Sequence, residues 1–260
     1  MIRKLVPRRL QRPLRAVYLR TFNRDYWQRI LRLRNFYREY VHRGELVFDV
    51  GANDGEYTEV FLALGARVIS VEPNPDLVAR LMTHRHRCLT VVSCAIGEAP
   101  GILPMRISGN AHQLSSLSGE WIRIAASTAR FKDSGAVWDH TIDVQIRTLD
   151  SLISEFGAPT FIKIDVEGFE LQSLRGLTTS PRTVSFEFNR EWLAPTLRCL
   201  QQPCFTSDTR FNYVAEDCCS LALPTWISAA QMAEVLQSAK MDACKYGDIL
   251  ATRHSSQFCN

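Results

Sequence analysis

The chain has 260 residues, 31 Lys and Arg against 27 Asp and Glu, and 46% apolar residues. This is ordinary globular composition, enough for one α/β domain with a large core. No apolar run reaches the roughly 18–20 residues of a membrane span, and the N-terminus lacks the apolar core of a signal peptide. The eight Cys form neither a C-x-x-C pair nor a zinc-like Cys/His spacing, so free thiols and a reducing, cytoplasmic compartment are expected.

Residues 1–43 carry twelve Arg and Lys4 against Asp25 and Glu39, a net +11, which leaves −7 for the remaining 217 residues. Within this basic segment apolar residues such as Leu5, Leu10, Leu14, Trp27 and Leu31 recur at helical spacing. One or two amphipathic helices are expected, interrupted near Pro13. Such an extension either packs on the body with its Arg in water or contacts an anionic membrane peripherally. A nucleic-acid partner is not expected, because no helix-turn-helix, zinc-finger or aromatic RNA-binding signature is present.

From residue 44 to 260 the pattern alternates. Strands are expected at 46–50, 67–71, 89–94, 161–164 and 184–188. Helices are expected at 56–64, 75–83, 149–156, 169–177 and 190–201. Gly65 falls where a left-handed cap belongs, and Pro75 falls in a first helical turn. Alternation of this kind predicts a doubly wound, mostly parallel sheet. Residues 108–140 interrupt it with weak periodicity and many small residues, which suits a variable insertion or lid. The tail offers a strand at 213–223, including Cys218 and Cys219 as packing residues, a helix at 228–240 and a final strand at 248–252.

Three strand ends carry the chemistry. The first reads Leu46-Val-Phe-Asp-Val-Gly-Ala-Asn-Asp-Gly55. A buried strand ends in Asp49, and Gly51 and Gly55 permit dihedrals and close approach that a Cβ would block. Asp49 can accept hydrogen bonds from loop amides or a ligand ammonium, and Asn53, Asp54, Tyr57 and Thr58 share that rim. The second reads Val68-Ile-Ser-Val-Glu72, then Pro73-Asn74-Pro75. An acid about 20 residues after the loop suits ribose hydroxyls. The third reads Phe161-Ile-Lys-Ile-Asp-Val-Glu-Gly-Phe-Glu170. Asp165 and Glu167 there could orient a hydroxyl nucleophile or take its proton, ligate a divalent cation, or cap the next helix. Nothing in the sequence indicates a metal specifically. Glu187 ends a fifth strand near the same rim, and His112 and His140 in the insertion are alternative bases.

Taken in this order, the motifs resemble the FkbM family of S-adenosylmethionine-dependent methyltransferases. The matching residues are Phe48–Gly55, Val71-Glu-Pro-Asn-Pro75, Ala95-Ile-Gly97, Thr148-Leu-Asp150, Ile162–Gly168 and Leu174-Arg-Gly176. The resemblance covers about residues 45–190, and the tail around Trp226 and Tyr246-Gly-Asp248 fits it more loosely. It implies a class I, Rossmann-like seven-stranded sheet with an antiparallel final strand, and methyl transfer from S-adenosyl-L-methionine to oxygen. The acceptors it implies are sugar hydroxyls, glycolipids or polyketide-like small molecules. By position, Asp49, Gly51, Ala52, Asn53, Gly55, Tyr57 and Thr58 would surround the methionine part of the donor. Glu72, Pro73 and Asn74 would hold its ribose, and Cys94 and Ala95 would border its adenine. Asp165 and Glu167 would be catalytic, and Ser115, Ser116, His140 and Glu187 would face the acceptor. Residues 118–140 and the basic N-terminus match nothing in the family core. The competing readings are a methyltransferase-like binding protein without catalysis and a methyltransferase acting on nucleic acid or protein.

Overall fold

The computed structural model describes residues 24–109, 111–128, 135–216 and 218–253. The helices expected around Pro13 therefore lie outside the described residues, as does most of the surface proposed for membrane contact. No described helix is long and apolar enough to cross a membrane.

The first described element is helix α1, Arg24–Tyr37. Its apolar stripe buries Ile30, Leu33 and Tyr37 in one cluster with Val47, Phe61 and Phe161. The Tyr37 ring meets Phe61 edge-on at 5.2 Å and Phe161 at 5.6 Å. Such edge-to-face pairs add to the stabilisation from area alone. The part of the basic segment that is described thus packs on the body, with Arg29 reaching Glu56 at 2.9 Å.

The body then runs β1 (Leu46–Val50), α2 (Glu56–Ala63), β2 (Arg67–Val71), α3 (Pro75–Leu81) and β3 (Leu89–Val92). It continues through β4 (Ala95–Ile96), β5 (Gly101–Ile107), α4 (Gly119–Ser127), β6 (His140–Arg147), α5 (Leu149–Phe156) and β7 (Phe161–Ile164). The C-terminal part adds α6 (Glu170–Arg175), β8 (Thr183–Asn189), α7 (Leu193–Cys199), β9 (Thr209–Ala215), α8 (Ala229–Gln237) and β10 (Tyr246–Arg253). Seven strands form one sheet in the order β3-β2-β1-β7-β8-β10-β9. Strand β10 runs antiparallel between β8 and β9, and the other pairings are parallel. This is the doubly wound, mostly parallel sheet that the alternation predicts, with the late antiparallel strand that the family resemblance implies. Its inner strands β1 and β7 are buried along their whole length, as strands covered on both faces must be.

Local chemistry sets several boundaries. Asn74 caps α3 by accepting from the Asp76 amide, with Pro75 at the first helical position. Gly65 follows α2 in the left-handed region, as expected.

Four regions differ from expectation by more than a shift of a few residues at an element's end. β3 stops at Val92 because the chain turns at Cys94 and enters a second, three-stranded sheet, β4-β6-β5. That sheet was not anticipated. The stretch 108–140, read as a variable insertion or lid, follows β5 directly and contributes a short turn at His112–Leu114, helix α4 and the first residue of β6. The helix expected at 190–201 splits into a 3-10 turn, Arg190–Trp192, and α7. The strand expected at 213–223 ends at Ala215, because Glu216 is left-handed and turns the chain. Cys218 and Cys219 consequently lie outside that strand. The seven described cysteines are all free thiols.

Candidate active site

Four neighbouring strands carry a polar row across the sheet near its carboxyl edge. In register these are Ser70, Asp49, Lys163 and Ser185. Thr58 from α2 joins the row, donating to Asp49 Oδ2 at 2.6 Å and lying 2.6 Å from the Ser70 hydroxyl. Burial, partly offset by the Thr58 hydrogen bond, raises the Asp49 carboxyl to about 6. Lys163 is buried, yet its ammonium meets Asp165 at 3.2 Å and Asp248 at 2.9 Å. It also lies 4.5 Å from the centre of the Tyr57 ring. Burial alone would push this ammonium down, but Asp165 and Asp248 hold it well above the usual lysine range. A buried charge with two acidic partners and a ring face is compensated in this way.

Above the row the loops open into two adjoining cavities. The smaller, about 540 Å³, has apolar walls from Val71, Leu77, Cys94, Ile96, Met105 and Phe169, with Glu72 at its edge. Ala95, Pro73, Ser115 and Ser116 also line it. Glu72 is held rigidly: Oε2 accepts from the Asn53 amide and Oε1 from the Asn74 amide, both at 2.9 Å. Burial raises its carboxyl to about 7 despite those two amides. The larger cavity, about 1020 Å³, is lined by Ala52, Asp54, Tyr57, Glu187, Glu216 and Asp248, with Arg29 and Glu56 at its N-terminal side.

Gly51, Asn53, His112, Gln113, Asp165 and Glu167 line both cavities. Asn53 and Glu167 are left-handed non-glycine residues at this junction, a costly conformation that concentrates at binding sites. The Glu167 carbonyl accepts from the Ser116 hydroxyl at 2.5 Å, which ties the variable segment to the turn after β7. Below that turn, Glu170 Oε1 accepts from the Val166 amide at 3.1 Å and the Gly168 amide at 3.2 Å. One oxygen each from Asp165, Glu167 and Glu187 lies within 4.8 Å of the other two. Burial, then the charges of Glu167 and Asp165, pushes the Glu187 carboxyl well above its usual range. Three carboxylates so spaced can hold the hydroxyl or amine of a polar ligand, or a hard cation.

The structure thus brings most expected site residues together, with exceptions. Asp49, Gly55, Thr58 and Asn74 line neither cavity. Asp49 and Thr58 belong to the floor beneath, and Asn74 to the cap of α3. The close approach at Gly51 is to the protein itself, since a Cβ there would lie 1.8 Å from the Asp165 carbonyl oxygen. A Cβ at Gly55 would meet Leu81. His140 is exposed at the start of β6 and lines neither cavity. It pairs with Ile107 on the second sheet.

Other residues at the site were not anticipated. Met105 arrives on β5, whose partner β6 carries the alternation Ile142, Val144, Ile146, a period-two signal of a half-buried strand. Arg29, Glu56, Glu216 and Asp248 come from opposite ends of the chain and share no local pattern.

The family described as the methyltransferase FkbM domain matches residues 49–196. The chain belongs to that family. The hexuronic acid methyltransferase AglP of Haloferax volcanii is 31% identical over 152 residues, covering 57% of this chain and 56% of that protein. The chain therefore spans a little over half the length of this curated relative. Among solved structures, a precorrin-6y C5,15-methyltransferase from Geobacter metallireducens GS-15 aligns over 87% of each chain at 11% identity, with a TM-score of 0.42. An rRNA methylase from Streptococcus thermophilus aligns over 85% of this chain and 94% of that one at 7% identity, also with a TM-score of 0.42.

Proposed function

We propose that the chain is an S-adenosylmethionine-dependent O-methyltransferase acting on a hydroxyl of a sugar-type small molecule. The observation that carries this reading is the junction of the cavities. An apolar pocket with one rigid carboxylate adjoins, through Asn53, Asp165 and Glu167, a larger polar cavity. Membership of the FkbM family supports methyl transfer. The hexuronic acid methyltransferase relative supports a sugar-type acceptor.

The residues fit such a donor. Val71, Leu77, Cys94, Ile96 and Met105 supply apolar surface for an adenine, and the lone pairs that Glu72 does not give to the two amides suit ribose hydroxyls. Asn53, whose buried Oδ1 has no hydrogen-bond partner among the described residues, offers an acceptor for the methionine ammonium. When bound, the donor supplies a methyl group already activated on a positively charged sulfur.

This chain's own task is then positioning and proton removal. Lys163 fixes Asp165 by a direct hydrogen bond. The left-handed turn and Ser116 fix the backbone of Glu167. One of these carboxylates orients the acceptor hydroxyl and takes its proton. His112, on the same rim, is a second base within this reading.

Asp165→Asn and Glu167→Gln test it. Calorimetric titration should give donor affinity within about threefold of the parent, while turnover falls on the order of 10²–10⁴-fold for the residue that takes the proton. Unchanged turnover in both variants removes the carboxylates from catalysis. Binding of NADH in place of S-adenosylmethionine would overturn the donor assignment. Donor binding without methylation across a broad acceptor panel would favour a binding protein.

A further inference from the structure

We propose that α1 docks the protein on an anionic lipid bilayer, through the face that carries Arg24, Trp27, Leu31, Arg34 and Arg38. The chemistry of the two cavities does not enter; the placement of charge and apolar surface on this helix does.

Helix α1 has two faces of different character. Ile30, Leu33 and Tyr37 form the buried line that packs on the body. At 3.6 residues per turn, Arg34, Trp27, Arg38, Leu31 and Arg24 fall in that order within an arc of about 80°, centred roughly 100° from the buried line. Arg38 continues the helical bonding, its amide donating to the Arg34 carbonyl at 3.2 Å. Arg24, Arg34 and Arg38 are exposed. Trp27 and Leu31, one turn apart, are half-buried and belong to none of the hydrophobic clusters among the described residues. Two apolar side chains set among three guanidinium groups suit a helix lying in a membrane interface. The indole belongs at headgroup depth, and the Arg meet lipid phosphates.

The acids near α1 are engaged elsewhere. On the opposite flank, Glu56 meets Arg29 at 2.9 Å and Glu59 accepts from the Tyr26 hydroxyl at 3.2 Å. Glu45 pairs with Arg182 at 2.7 Å. Asp25, the acid of α1 itself, falls about 140° from the centre of the arc. Arg38 meets the neighbouring Glu39 at 3.3 Å, an exposed pair of little worth. No ion pair among the described residues engages Arg24 or Arg34. Residues 1–23, the adjoining chain, contain six Arg and Lys4 and no Asp or Glu. Their charge adds to that of the arc, so the complementary charge comes from a partner. Leu5, Leu10, Leu14, Leu19 and Phe22 are interleaved with it. Nucleic-acid phosphates call for the charge alone, whereas a bilayer takes both charge and apolar surface.

The test is co-sedimentation of the full chain with vesicles of phosphatidylcholine alone, or with about one third phosphatidylglycerol. Binding should require the anionic lipid and weaken as salt screens the charges. Arg24→Glu, Arg34→Glu and Arg38→Glu combined should lower the partition coefficient by at least about tenfold. The milder combination of three Arg→Gln changes at the same positions should lower it by less. The same reversal at Arg80, Arg87 and Arg123, exposed positions away from α1, should leave it within about twofold, because charge acts within a Debye length of the surface. Denaturant midpoints of all variants check that each is folded. The indole emission should shift to the blue on anionic vesicles, and Trp27→Phe should remove that shift.

Failure to bind anionic vesicles overturns the proposal. So does equal loss in both sets of charge reversals, which means diffuse attraction without a face. Unchanged binding in the α1 variants assigns any contact to residues 1–23 and overturns the role of α1. Binding without a Trp27-dependent shift means that this face is covered by another part of the chain, with the same consequence. Tighter binding to duplex RNA or DNA than to anionic vesicles at equal salt replaces the bilayer with a nucleic acid.

Discussion

The two cavities meet at one junction and are built in opposite ways. The smaller is assembled mostly from consecutive strand ends, β1 to β3, and from the second sheet, with apolar walls and a carboxylate whose two oxygens are each fixed by a backbone amide. The larger draws its walls from α1, the first residues of α2, β8 and the tail around β9 and β10. It is polar, and much of its charge is balanced by long-range pairs such as Lys163 with Asp248. The difference teaches that one pocket can be built largely from local sequence and its neighbour from tertiary assembly; under the proposed function these are the donor side and the acceptor side.

The largest expected effect comes from breaking what the cavities share. Gly51 is left-handed, and a Cβ there would lie 1.8 Å from the Asp165 carbonyl oxygen. β1 and β7 are adjacent inner strands, so the backbone has no room to yield. Gly51→Ala is expected to cost more than about 3 kcal/mol of stability and to abolish binding at both cavities. Urea unfolding and donor titration measure this. A variant with parental stability would show that the junction is looser than the register of β1 and β7 implies.

A smaller, one-sided effect separates the cavities. Glu72 accepts an amide on each oxygen. Glu72→Gln turns one acceptor into a donor that faces an N–H, and it weakens what remains for ribose hydroxyls. Donor affinity is expected to fall about 10- to 100-fold, in line with roughly 1–3 kcal/mol for an unmet buried hydrogen bond. The ranking of acceptors should not move. A changed ranking would mean that the cavities do not divide donor from acceptor.

The same contrast governs how much of the molecule could be read from its sequence. The sheet was legible because Leu46–Val50, Arg67–Val71 and Phe161–Ile164 are short apolar runs bounded by acids and glycines, a signal that resides in a few consecutive residues. Glu72, Asp165 and Glu167 were legible for the same reason. The second sheet was not. β4 has two residues, and β5 contains Pro104 and exposes its first four residues, as an edge strand can. The floor position of Asp49 follows from its register with Ser70 and Lys163, which no single strand reveals. Arg29 and Asp248 reach one cavity from positions more than 200 residues apart. Only the folded topology brings them together.

The subtlest effect tests the wall common to both cavities through pH. Glu170 is buried, and burial raises its carboxyl from 4.5 to about 7, even though Oε1 accepts from the Val166 and Gly168 amides. Between those values the folded chain binds more protons at this site than the unfolded chain does. Stability should therefore fall as pH rises from about 4.5 to about 7, then level off. Asp49, raised to about 6, and Glu72, raised to about 7, act with the same sign. Glu170→Gln retains a carbonyl oxygen for the two amides and cannot ionise. It should match the parent near pH 5, exceed it by about 1–2 kcal/mol near pH 8, and keep a reduced slope from Asp49 and Glu72. Denaturant midpoints across that range read the difference directly. The amides of Val166 and Gly168 flank Glu167, so donor affinity and acceptor ranking should stay at parental values if the glutamine holds the turn. An unaltered pH slope would show that Glu170 is already ionised in the fold and that its two amides outweigh its burial.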